Sequence, residues 1–125
     1  MSINSMGYQT YRKTQIQTAD QGSLILMCYE GAVNFLKKAK KAQQENDEQA
    51  RMQALGKAQN ILWELANSLN YEAGEIAYNL ESLYNYMIRR IVDAEYNKNI
   101  EAVDEVVTFL QELRSSWEQI IKKSS

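Results

Sequence analysis

Residues 75–94 read EIAYNLESLYNYMIRRIVDA. Within them Ile76, Leu80, Leu83, Met87, Ile91 and Ala94 recur at steps of 4, 3, 4, 4 and 3. That spacing holds one face of a helix with 3.6 residues per turn; a strand would alternate its faces at a period of two. The chain contains no proline, the residue that would remove a helical N–H and clash with the preceding turn. The pattern predicts a helix from about Glu72 to Tyr96. Ala77, Tyr84 and Ile88 widen one flank of its stripe, and Asn79, Tyr86 and Arg90 line the other.

Downstream, Asn97, Lys98 and Asn99 make a short turn, and Asn99 offers a cap for a further helix running to about Ile121. Its apolar seam is Val103, Val106, Leu110, Leu113, Trp117 and Ile120, with Phe109 on the edge. Upstream, Asp47 is a candidate cap for a helix that ends around Ser68 to Asn70. That helix carries the seam Leu55, Ala58, Leu62, Leu65 and Leu69, with Met52 and Trp63 off it. Another helix runs from near Asp20 to about Gln44, with Leu24, Cys28, Phe35, Ala39 and Ala42 as its inward seam. Short connections favour antiparallel neighbours. The expected fold is all-α, an antiparallel up-down four-helix bundle at 20–125 as a single domain, preceded by a flexible or loosely docked N-terminal arm at 1–19.

The first helix has more apolar surface than one seam requires. Residues 24–36 read LILMCYEGAVNFL. At about 100° per residue, Leu26, Tyr29 and Val33 fall roughly 140–200° from Leu24, as a second row. Ile25, Ala32 and Leu36 fill the gap between the rows, and Met27, like Met87, reads as core. Glu30, Asn34, Lys37 and Lys41 make the clean polar face. A bundle helix touches two neighbours, and Tyr8, Tyr11 and Ile16 in the arm can cover part of such a surface. The surplus across several helices still suggests a groove for another chain, a role that tyrosine suits with its apolar ring and polar tip.

Composition removes several kinds of chemistry. The chain has 125 residues and a formal net charge of −2, so no bias toward nucleic acid follows. No stretch is long and apolar enough for membrane insertion, and MSINSMGYQTYRKTQ lacks a signal-peptide core. With one cysteine, Cys28, the expected address is the cytoplasm. There is no histidine, which removes the commonest general base and metal ligand. The five glycines are isolated and form no phosphate loop. Glu101, Asp104 and Glu105 sit at a helix start, where the helix dipole accounts for them. Cys28 reads as a small core residue. Arg89 and Arg90 could grip a carboxylate, although an intrahelical pair such as Arg89 with Asp93 serves equally. No catalytic residue, cofactor or metal is expected, and the chain does not read as an enzyme.

The stretch from Gly74 to Met87 resembles the Gly-Glu-Ile-Ala-x-Asn-Leu-x-x-Leu-Tyr-x-Tyr-Met motif of the flagellin-specific export chaperones, the FliS family. QTADQGSLILMCYEGAVNFLKKA (17–39) and LQELRSSW (110–117) are similar to that family's first-helix start and its Leu-x-x-Leu-Arg-x-x-Trp. Gln21 stands where the family often has proline, and Met6-Gly7-Tyr8 where it often has Asn-Pro-Tyr. The arm and helix start are less preorganised as a result. The resemblance implies a cytoplasmic chaperone that binds the disordered C-terminal segment of flagellin, prevents its premature polymerisation and helps deliver it to a flagellar type III export gate component. It also implies that the arm can occupy a client site. Joined to the apolar surplus, it makes Tyr8, Ile16, Leu26, Tyr29, Val33, Asn79, Tyr86, Arg90 and Phe109 the candidate client-binding residues, on a monomer or weak homodimer. The alternative is a self-associating structural or adaptor bundle with no export client.

Overall fold

The computed structural model describes the backbone of residues 18–124 and the side chains of 22–120. The arm at 1–17, with Tyr8 and Ile16, lies outside the described residues. Among the described residues the chain forms four α-helices: α1 Thr18–Gln44, α2 Glu48–Asn67, α3 Glu75–Asn97 and α4 Ile100–Ser124, with a 3-10 turn at Tyr71–Ala73 before α3. α1 packs on α2 and α4, and α3 packs on the same two helices, so consecutive helices are neighbours and the ring closes between first and last. This is the antiparallel up-down bundle that the short connections require.

The boundaries follow from local chemistry. Helical backbone is already present at Thr18, so Asp20 lies inside the first turn of α1. Asp47 caps α2, its Oδ1 accepting from the Ala50 N–H at 3.1 Å. Asn99 caps α4 in the same way, accepting from the Ala102 N–H at 3.1 Å. α3 starts at Glu75 rather than Glu72 because Gly74 has φ +85° and ψ −140°, a conformation essentially reserved for glycine that separates the 3-10 turn from the helix. Lys98 ends α3 in the left-handed region, donating its N–H to the Ala94 carbonyl at 3.0 Å.

The core is continuous through the bundle, with Leu36, Leu55, Leu62, Met87, Ile91, Val106 and Leu110 fully buried. At one end it is clamped by the buried Arg51 of α2. Its guanidinium donates to the carbonyls of Ala94 at 2.9 Å and Glu95 at 3.2 Å, and it also pairs with Glu48. One guanidinium thus adds a second bond to the Ala94 carbonyl, which already accepts from the Lys98 N–H, and supplies a donor to the Glu95 carbonyl at the end of α3. At the same end Gln43 donates to the Lys98 carbonyl at 3.0 Å, and Lys40 pairs with Asp104 at 2.9 Å.

The centre of the α1 stripe differs from the expected seam. Tyr29, Ala32 and Leu36 are fully buried, whereas Leu24, Cys28 and Phe35 are only partly so. On the wheel the expected seam and the second row are the two flanks of one broad stripe. Ile25, Ala32 and Leu36, the supposed gap, lie nearer its middle. Met27 is 64 % exposed rather than core. In α3 the core likewise turns toward Ala77, Tyr84 and Ile88, which leaves Ile76 57 % exposed.

Candidate functional site

The end of the bundle opposite the Arg51 clamp is built differently. It gathers the start of α1, the end of α2, the 3-10 turn, the start of α3 and the far part of α4. Many of its apolar side chains are only partly buried, among them Leu24, Ile25, Leu69, Leu80, Leu113 and Trp117. Between them lies a cavity of about 490 Å³, a size that suits a bound group rather than a packing defect. Leu24, Ile25 and Cys28 line one wall, Ile76, Ala77, Leu80 and Tyr84 another, and Leu65, Leu69 and Trp117 contribute beside them. Small residues at Ser68, Ala73 and Ala77 leave the space that larger ones would fill.

Tyr84, in the cavity wall, is buried and shares a hydrogen bond with the buried Tyr29 hydroxyl at 2.7 Å. This bond crosses the bundle from α1 to α3. Burial pushes both phenols above their ordinary pKa; at Tyr29 the hydrogen bonds to Tyr84 and Trp117 oppose that rise. Burial, and then the charge of Glu64, push the Cys28 thiol up as well, the reverse of what activates a nucleophilic cysteine. Among the described residues no group of three or more Cys, Asp or Glu side chains is placed to hold a metal ion. Nor is any described helix long and apolar enough to cross a membrane.

The expected client-contact residues that lie among the described residues do not form a single surface. Tyr29 is 0 % exposed and Val33 7 %, so both are core positions with no surface to offer a partner in this fold. The reason is the wheel position: they flank the true centre of the α1 stripe. Leu26 is partly buried, and Asn79 is exposed on α3. Tyr86, Arg90 and Phe109 do cluster, on the α3–α4 flank. Tyr86 donates to the Glu105 carboxylate at 2.9 Å, Arg90 Nε donates to it at 2.8 Å, and Phe109 meets Tyr86 edge to face at 6.1 Å. Arg90 also pairs with Asp93 at 3.4 Å, so Arg90 rather than Arg89 makes the carboxylate grip. None of the seven candidates among the described residues lines the cavity. The cavity's own residues carried a weaker signal: Glu64 interrupts the apolar run ILWELA (61–66), and small residues stand at the matching level of α3.

A family model described as "Flagellar protein FliS" matches residues 4–124. A flagellar secretion chaperone FliS of Salmonella typhimurium is 35 % identical over 125 residues, covering 95 % of this chain and 93 % of its own. One from Bacillus subtilis is 33 % identical over 115 residues, covering 92 % and 86 %. Another, from Vibrio cholerae, is 32 % identical over 117 residues, covering 90 % and 86 %.

Proposed function

This chain belongs to the FliS family of flagellar secretion chaperones, and from that premise we propose that its client is the disordered C-terminal segment of flagellin. Bound to it, flagellin is kept from polymerising early and is handed to a component of the flagellar export gate. In this reading the chain works in the cytoplasm as a monomer or weak homodimer. The four helices act as one client-binding unit, with the residues before Thr18 as an appended arm.

The single observation that carries the reading is the open apolar end of the bundle and its 490 Å³ cavity. A disordered segment that folds on docking gives up about 2–5 kcal/mol in ordering. Each Leu- or Phe-sized anchor that it buries returns roughly 1.5–3 kcal/mol. One pocketed side chain barely offsets the ordering cost, so a tight complex needs several anchors. The cavity accommodates more than one. Leu26, Tyr86, Phe109, Arg90 and Asn79 continue partly or fully accessible surface along the flanks, where a long client can extend.

Titration calorimetry with a peptide covering the flagellin C-terminal segment tests this. Saturable binding by the wild-type chain is expected. Ala73→Trp places a large ring at an exposed part of the cavity wall and should weaken binding at least about tenfold while helical circular dichroism is retained. No heat and no complex with the wild-type chain would overturn the reading.

A further inference from the structure

Glu64 is the feature of the open end that packing does not explain. It lies on α2, lines the cavity, and is only 8 % exposed. Its Oε2 is buried without a hydrogen-bond partner. The other buried charged side chain among the described residues, Arg51, places its donors on carbonyls and on Glu48. A buried acceptor left unpaired costs stability that an apolar residue of similar size would not. In the folded chain alone Glu64 is therefore a liability. Among the described residues the cavity lining contains no lysine or arginine, and its walls are otherwise largely apolar.

Those surroundings define what would complete the site. The complement is a side chain with an apolar stem, which the walls bury, and a cationic N–H donor at its tip, which reaches the carboxyl. Lysine and arginine have that form. We propose that the cavity receives a lysine or arginine side chain of the client, seated between apolar neighbours, with the Glu64 carboxyl as its acceptor. This inference rests on the client reading above and adds to it a specificity element. Apolar anchors supply affinity, and the buried carboxyl selects the register in which a cation enters the cavity. A segment docked out of register leaves Glu64 unpaired and buried under apolar groups.

The test is a double-mutant cycle on the full chain. Each lysine and arginine of the flagellin C-terminal peptide is replaced in turn by methionine. Every peptide is titrated against the wild-type chain, Glu64→Gln and Glu64→Leu. Circular dichroism and urea unfolding confirm that both variants are folded; the unpaired Oε2 predicts that Glu64→Leu is at least as stable as wild type. Both variants should bind the unmodified peptide at least about tenfold more weakly. One peptide substitution should weaken binding to the wild-type chain by a similar factor and change binding to Glu64→Leu little, which identifies the coupled pair. Unchanged affinity for both variants would overturn the inference and leave the client reading standing. So would loss with Glu64→Leu but not with Glu64→Gln, because it would mean a neutral donor. Absence of binding by the wild-type chain would remove both.

Discussion

At the residue scale, two polar clusters hold this apolar bundle in one arrangement, and each has a measurable consequence. The Tyr29–Tyr84 hydrogen bond joins helices diagonal to each other across the core. Tyr29→Phe removes the partner of the buried Tyr84 hydroxyl and also the bond to Trp117, so it should cost about 1–3 kcal/mol in urea unfolding. Tyr84→Phe leaves Tyr29 its bond to Trp117 and should cost less, and the double variant should cost less than the sum because the two hydroxyls share one bond. The second cluster is on the surface of α3 and α4. Hydrogen bonds from Arg90 and then Tyr86 hold the Glu105 carboxyl below its ordinary pKa. Hydrogen bonds from Asn97 and Asn99 do the same for Asp93. With a lowered folded-state pKa, the unfolded chain binds more protons, and stability falls as acid is added. The contribution is present above the ordinary carboxylate range and is lost as pH drops through the folded values. Glu105→Gln should therefore be less sensitive than wild type to acid below about pH 5 in unfolding midpoints. Parallel acid limbs for the two proteins would show that the pair is too solvent-screened to matter.

At the element scale, the helix ends were more legible than the helix faces. Asp47 and Asn99 were readable as caps because a short acceptor before an apolar run has one main use, and both cap in the structure. Asp47→Ala should cost about 1 kcal/mol. Gly74 stands in the sequence as one residue of a family motif, yet it fixes where α3 begins. An added Cβ there meets nothing within 4 Å, so the only obstacle to a side chain is the backbone at φ +85°. Gly74→Ala should lower stability by about 1–3 kcal/mol in the same unfolding assay. A neutral result would mean that the 3-10 turn can rearrange without strain. The inward faces were harder to read. Where a helix is apolar over most of its circumference, periodicity says that it is buried but not which residue is central. The seam steps of α1 fitted Leu24, Cys28 and Phe35 as well as they fitted Ile25, Tyr29, Ala32 and Leu36. Neighbouring helices decided between them, and their positions are not a property of α1. The cavity was hidden for a related reason: it is made by what Ser68, Ala73 and Ala77 lack.

At the scale of the whole molecule, the two ends of the bundle are physically unlike, and that difference should appear in its dynamics. Toward the clamped end, Leu36, Leu55, Met87, Ile91, Ala102 and Val106 are sealed, and Arg51 and Gln43 tie down the last carbonyls of α3. Toward the open end the same helices pass through half-buried residues and the cavity. Local opening free energies follow buried contact and hydrogen-bond satisfaction, so one continuous helix can be slow to exchange at one end and fast at the other. Native-state amide exchange should show the strongest protection around residues 36–39, 55–62, 87–94 and 102–110. Protection should fall progressively toward 24–28, 76–80 and 113–117, although all of these are helical. A client that seats in the cavity should slow exchange at this second set and leave the first nearly unchanged, because only the open end has ordering left to gain. Uniform protection along each helix in the free chain would mean that the cavity end is as tightly closed as the clamp. Client-induced slowing centred on the Arg51 end would place docking on a different surface from the one argued above.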